Sequence, residues 1–340
     1  MYLIPAVGTF VRMRDDQLPP PQPHACALLS RDLGEPVAGT AATQSAWLLL
    51  EQSGPWGRVA ARESRLDPAL GGELDGRTAG TGVRLCLIRR PEGRRPDHDP
   101  ERRRWFAAST HPERTWLATG EVSDPAELLR IDFAALDAGD RTAVAELEHT
   151  FLDTPILGVC TNGKRDVCCA TLGRRVVIAA DALDADARTS AAAGPPAVWE
   201  ITHLGGHKFA PTGVLLPSGY LYGRLDAALA TRVLTEARRD QVVADGCRGR
   251  STWSRPGQAA ELAVRAELEE WRTGAVVVTA VAKLAGEPEP AWTATVETED
   301  GRAYEVSVAG AHAAVPRPES CGKIEGSPLE LRVEAIEKLR

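Results

Sequence analysis

The sequence predicts an α/β fold built around a β-α-β-β-β-α unit over residues 151–250. An α/β region over residues 26–150 precedes it, and a small α+β appendage over 251–340 follows. Three observations predict this. A length of 340 residues suits two or three domains rather than one. A composition of 43% hydrophobic and 26% charged residues is that of an ordinary globular chain with enough apolar material for a sizeable core. Finally, short apolar runs bounded by Gly, Pro and Asn alternate with stretches of helical period in the middle of the chain.

Residues 1–25, proline-rich over 18–24, read as an extended lead-in. The next region offers strand candidates at Trp47–Leu50, Val83–Ile88, Thr115–Ala118 and Leu129–Phe133, and a helix candidate at Thr142–Phe151. The charged, proline-punctuated RRPEGRRPDHDPERRR run between the second and third strands predicts an exposed loop. In the middle region, Ile156–Cys160 is an apolar strand entering a Thr-Asn-Gly turn, and residues 168–182 carry helical periodicity across Gly173. Ala197–Thr202 forms a second strand. Val214–Leu216 and Tyr220–Tyr222 flank Pro-Ser-Gly as a hairpin, and Asp226 caps a helix running to about residue 244. This is the element order of a thioredoxin-like core, with Pro211 standing where such folds often carry a cis proline. In the appendage a helix from Gln258 to Trp271 leads to strands at Ala275–Val281, Trp292–Glu297 and Tyr304–Val308, the last two joined at Glu299-Asp300-Gly301.

A net charge of -7 gives no footprint for nucleic acid or an anionic membrane surface. No stretch reaches the roughly 18 apolar residues of a membrane span, and the N-terminus lacks the order of a secretory signal, so a cytoplasmic location is expected. Seven cysteines are an odd set without the spacing of a disulfide scaffold. Cys26, Cys86, Cys247 and Cys321 are scattered and read as structural or incidental. Cys160, Cys168 and Cys169 cluster, which in a reducing compartment points to metal or redox chemistry.

Two segments carry that chemistry. CTNGKRDVCC places Cys160 at a strand's end and Cys168 and Cys169 at a helix start, where the helix dipole favours the thiolate form that binds metal. HLGGH places His203 and His207 around two glycines that suit a tight loop more than a helix. Both loops lie at the carboxyl ends of neighbouring strands, where α/β sheets place their ligands. Lys164, Arg165 and Asp166 read either as a solvated turn or, through Lys164 or Arg165, as groups that tune the site; Lys208 has the same two readings. Two cysteines and two histidines suit a structural zinc or a [2Fe–2S] cluster, and the residues alone leave both open. The eight-residue interval between Cys160 and Cys169 is longer than zinc-finger pairs use.

These segments resemble the sucrase/ferredoxin-like family, thioredoxin-like [2Fe–2S] ferredoxins with histidine ligands. The resembling residues are Cys160 and Cys169 eight apart with Arg165-Asp166 between them, His203-LGG-His207, and upstream Cys26 with the Glu35–Ala42 stretch. The resemblance spans most of residues 26–250. It implies a [2Fe–2S] cluster with Cys160 and Cys169 on a buried iron and His203 and His207 on an outer iron. Cys169 rather than Cys168 gives the family's interval. A soluble one-electron carrier or redox sensor, more than a catalyst, is the function it implies. Imidazole in place of thiolate should raise the potential, and proton uptake at the free imidazole nitrogens should accompany reduction. A redox partner protein, not nucleic acid or membrane, is the expected partner. A zinc-stabilised Cys2His2 scaffold without redox activity is the alternative.

Overall fold

The computed structural model describes residues 25–91, 102–188, 196–285 and 289–340. The proline-rich lead-in and most of the charged loop expected before the third strand fall outside them. The described residues open with α1 (Cys26–Asp32), β1 (Ala46–Glu51), α2 (Ala60–Glu63), α3 (Pro68–Arg77) and β2 (Val83–Arg89). They continue through β3 (Arg103–Ser109), β4 (Trp116–Val122), α4 (Phe133–Asp137) and β5 (Thr150–Phe151). Then come β6 (Ile156–Cys160), α5 (Val167–Arg188), β7 (Val198–Ile201), β8 (Gly213–Leu216), β9 (Tyr220–Tyr222), α6 (Ala227–Ala237) and β10 (Cys247–Arg250). The last part is α7 (Arg255–Leu268) with β11 (Val276–Lys283), β12 (Ala291–Thr298), β13 (Ala303–His312) and β14 (Leu329–Lys338).

Among the described residues the strands form two sheets. The larger is mixed and mostly antiparallel, in the order β10-β9-β8-β6-β7-β2-β1-β3-β4-β5. It contains two similar halves: β1 and β2 pair in parallel with β3 and β4 outside β1, and β6 and β7 pair in parallel with β8 and β9 outside β6. The halves meet where β2 and β7 run antiparallel, at Ile88–Ile201 and Arg89–Glu200. Their central strands are buried on both faces, as the apolar runs Ala46–Leu50 and Ile156–Cys160 require. The smaller sheet, β11-β12-β13-β14, is antiparallel and packs its apolar face on α7 through Ala260, Val264, Val276, Val296 and Val306.

The middle region has the expected element order, and Ala210–Pro211 is cis. Trp47, Trp56 and Trp199 are core residues, and Trp271 packs at the edge of one. Several local expectations are corrected. Leu129–Phe133 is not a strand: Asp124 caps a 3₁₀ turn at Pro125–Arg130, and Asp132 accepts from the Ala134 and Ala135 N–H groups to start α4. Thr142–Phe151 is not a helix. Asp140 caps one 3₁₀ turn, and the polar stretch after it offers no apolar stripe to bury before β5. The helix after Asp226 stops at Ala237, because Asp240 turns left-handed at φ 59°. The sequence reading missed α1, α3, β3, β10 and β14. β14 is charged at alternate positions, and a bulge at Ser307–Val308 in its partner pairing breaks its period of two.

Gly173 lies in the interior of α5 because the helix crosses the end of β6 there. A Cβ at this position would sit 2.3 Å from the Cys160 carbonyl oxygen. Alanine is ordinarily the better helix former by about 1 kcal/mol. Here the sign should reverse, with Gly173→Ala destabilising by about 1–3 kcal/mol through overpacking. Urea unfolding of the two proteins would measure it.

Candidate metal centre

Cys160 ends β6, fully buried, and its sulfur accepts hydrogen bonds from the backbone N–H groups of Asn162 and Leu204. Cys169 lies in the first turn of α5, also fully buried, and shares a hydrogen bond with Cys160. That contact lowers the pKa of Cys160 against the opposing cost of burial, and raises that of Cys169 together with burial. Gly173 allows this helix to stand close enough for the contact.

The histidines come from the loop after β7. Gly205 and Gly206 both have positive φ, 82° and 72°, and a Cβ on Gly206 would lie 2.3 Å from the Arg248 guanidinium. Arg248 is itself buried, with its pKa drawn down to about 10 by desolvation, and donates to the carbonyls of Gly205 and Thr40. Arg84 donates to the His203 carbonyl at 2.6 Å. So fixed, the loop stacks the two imidazoles with centroids 4.5 Å apart and planes 21° apart. The His207 Nδ1 lies 3.4 Å from the Cys169 sulfur. The pKa of His203 falls to about 3, first through desolvation and then through His207 and nearby arginines, and that of His207 is lowered for the same leading reason. Both rings are therefore neutral at pH 7, the form that binds metal.

The four expected residues thus form a chain of contacts, Cys160 to Cys169 to His207 to His203, from the interior toward partly exposed imidazoles. Asp166, Cys169 and His207 bring one donor atom each within 4.8 Å of one another, a group that Cys160 and His203 do not join.

Asp166 is not part of a solvated turn. It is buried, its Oδ1 accepts from the Cys168 N–H at 2.9 Å as the cap of α5, and its Oδ2 accepts from Ser320 Oγ at 2.9 Å and the Cys321 N–H at 2.8 Å. Burial opposes its ionisation, but these donors outweigh it and lower its pKa. Lys164 is exposed, and Arg165 is half-buried, its charge depressing both histidines. Lys208 turns away from the imidazoles to a buried ion pair with Glu35, which also holds Arg317 at 3.0 Å.

Cys168 points away from Cys169, into a second group with Cys26, Cys321 and Asp166. Sequence reasoning set Cys26 and Cys321 aside, since 295 residues separate them and only the tertiary fold brings their sulfurs to 3.5 Å. The one available signal was the resemblance upstream that began at Cys26.

A family model described as sucrase/ferredoxin-like matches residues 37–249. The chain belongs to that family. The matched part of this sucrase/ferredoxin-like protein holds Cys160, Cys169, His203 and His207, whereas Cys26 and Cys321 lie outside it. No curated protein and no solved structure matches the chain. Among the described residues, no helix is long and apolar enough to cross a membrane.

Glu35 ties this site to the C-terminal appendage. Burial opposes its charge, yet Arg317 and then Lys208 lower its pKa below the ordinary 4.5. A depressed carboxyl contributes stability that is present above its unfolded pKa and lost as pH falls through the folded one. Glu35→Gln should therefore cost about 3 kcal/mol at pH 7, near the lower end for breaking a buried pair because Arg317 keeps Glu330. The difference from the parent protein should shrink below about pH 4.5, and denaturant midpoints measured across pH 3–7 check both statements.

Proposed function

We propose that this protein is a one-electron carrier whose [2Fe–2S] cluster is held by Cys160, Cys169, His203 and His207, on a thioredoxin-like β-α-β-β-β-α domain at residues 151–250. The observation that carries the reading is the graded chain of donors, with two buried thiols in contact at one end and two neutral, partly exposed imidazoles at the other. The residues fit such a group. Around a single tetrahedral zinc, donor atoms lie roughly 3.3–3.8 Å apart, which would draw all four into one compact set. Here the compact set leaves out Cys160 and His203, a spread that favours two irons over a single zinc. The two N–H groups aimed at the Cys160 sulfur are the kind of donor that stabilises a thiolate ligand and adjusts a cluster's potential. The strand order β9-β8-β6-β7, with one parallel pair and an outer hairpin, supports the thioredoxin-like assignment.

When bound, the cluster supplies one-electron redox chemistry. The chain's own residues do the rest. The cysteines hold the inner end in an environment shut off from water. His203 and His207, neutral without the group, would each hold it through one ring nitrogen and leave the other able to take up a proton. The partly exposed His203–His207 loop is the surface where a redox partner docks.

Iron, sulfide and zinc measured on freshly purified protein, together with its visible spectrum, test the reading. Two irons per chain and a red-brown colour that bleaches with dithionite are expected; colourless protein with one zinc, unchanged by anaerobic reconstitution, would sink it. The midpoint potential should fall as pH rises, with a slope approaching ~59 mV per unit for one proton per electron. His203→Cys or His207→Cys should keep the colour, lower the potential and reduce that slope, as voltammetry across neutral and alkaline pH would show.

A further inference from the structure

The second cysteine group has its own geometry. Cys26 opens α1, Cys168 stands in the first turn of α5, and Cys321 lies in the connection between β13 and β14. Their sulfurs form a triangle with sides of 3.3 Å (Cys168–Cys321), 3.5 Å (Cys321–Cys26) and 3.9 Å (Cys26–Cys168). Asp166 Oδ2 lies 3.6 Å from the Cys26 sulfur, and all four donor atoms fall within 4.8 Å of one another. A tetrahedral ion with metal–sulfur bonds of about 2.3 Å and a metal–oxygen bond of about 2.0 Å places its sulfurs roughly 3.8 Å apart and its oxygen roughly 3.5 Å from each. The observed spacings bracket those values. The surroundings suit thiolates as well: the Ala27 N–H donates to the Cys168 sulfur and the Cys26 N–H to the Cys321 sulfur. Cys26, Cys168 and Asp166 are buried and Cys321 is partly exposed, which leaves an entry path on that side.

We propose that Cys26, Cys168, Cys321 and Asp166 form a second metal site, a closed three-thiolate, one-carboxylate site for zinc or a like divalent ion. Three thiolates and no imidazole make it softer than the neighbouring cysteine–histidine set, and closed tetrahedral coordination by sulfur is the preference of structural zinc. Binding displaces the thiol protons and changes no oxidation state. The ion joins three distant parts of the chain: the segment before β1, the start of α5 and the C-terminal appendage. It therefore locks the appendage onto the helix that carries Cys169. The two sets part at the α5 start, Cys168 belonging to one and Cys169 to the other, and Asp166 borders both.

Zinc and iron quantified together on the full-length protein, parent and variants, test this site. About one zinc per chain is expected. Cys26→Ser and Cys321→Ser should each lose it while iron content and the visible spectrum stay unchanged. X-ray absorption at the zinc edge of the unsubstituted protein keeps the test open if those variants fold poorly, and three sulfur neighbours with one oxygen are expected. Zinc bound with iron absent throughout would leave this site standing and sink the electron-carrier reading alone. Protein that takes up no zinc even when reduced and supplied with Zn²⁺, an isolated Cys168–Cys321 disulfide that persists under added Zn²⁺, a two-sulfur, two-nitrogen zinc shell, or loss of iron in place of zinc in the variants would each overturn it.

Discussion

One carboxylate holds this site together. Asp166 caps α5 from inside the protein and at the same time accepts hydrogen bonds from Ser320 and the Cys321 backbone, 154 and 155 residues away in the chain. A buried carboxylate is costly unless its oxygens are occupied, and each of these donors offsets part of that cost. Removing it would free the first turn of α5, which carries both Cys168 and Cys169. The docking of the appendage and the placement of the Cys168 and Cys169 sulfurs are thus consequences of the same few bonds.

The sheet supplies the rest of the constraint. Two similar five-stranded halves join through β2 and β7, so the strand that delivers the histidine loop has a neighbour on each side: β6 with Cys160, and β2 with Arg84. Arg84 anchors the loop through the His203 carbonyl, and Thr161 reaches Glu200 of β7 at 2.6 Å. From the other side Arg248 of β10 fills the space that Gly206 leaves open. The imidazoles are oriented by backbone geometry and flanking arginines, and burial, with Arg165 and Arg248 adding to it, keeps them neutral.

Much of this was legible in the sequence, and the reasons are local. Ile156–Cys160, the Thr-Asn-Gly turn, the Gly-Gly between the histidines and Asp226 as a cap all depend on neighbours in the chain, so pattern and turn chemistry predict them. Cys160, Cys169, His203 and His207 come into contact because two adjacent parallel strands end together. The missed parts depend on distant partners. Cys26 and Cys321 acquire meaning only when the appendage folds back on α1, and Asp166 looks solvated until Ser320 arrives. β14 alternates charge with apolar residues across a bulge, and its apolar side has a partner only in α7 and the smaller sheet.

Pulsed electron paramagnetic resonance of the dithionite-reduced, full-length protein measures most directly whether His203 and His207 share a cluster with Cys160 and Cys169. The predicted result is strong coupling of the unpaired electron to two imidazole nitrogens, one lost in His203→Cys and the other in His207→Cys. A reduced signal without nitrogen coupling, or couplings that survive both substitutions, would contradict it.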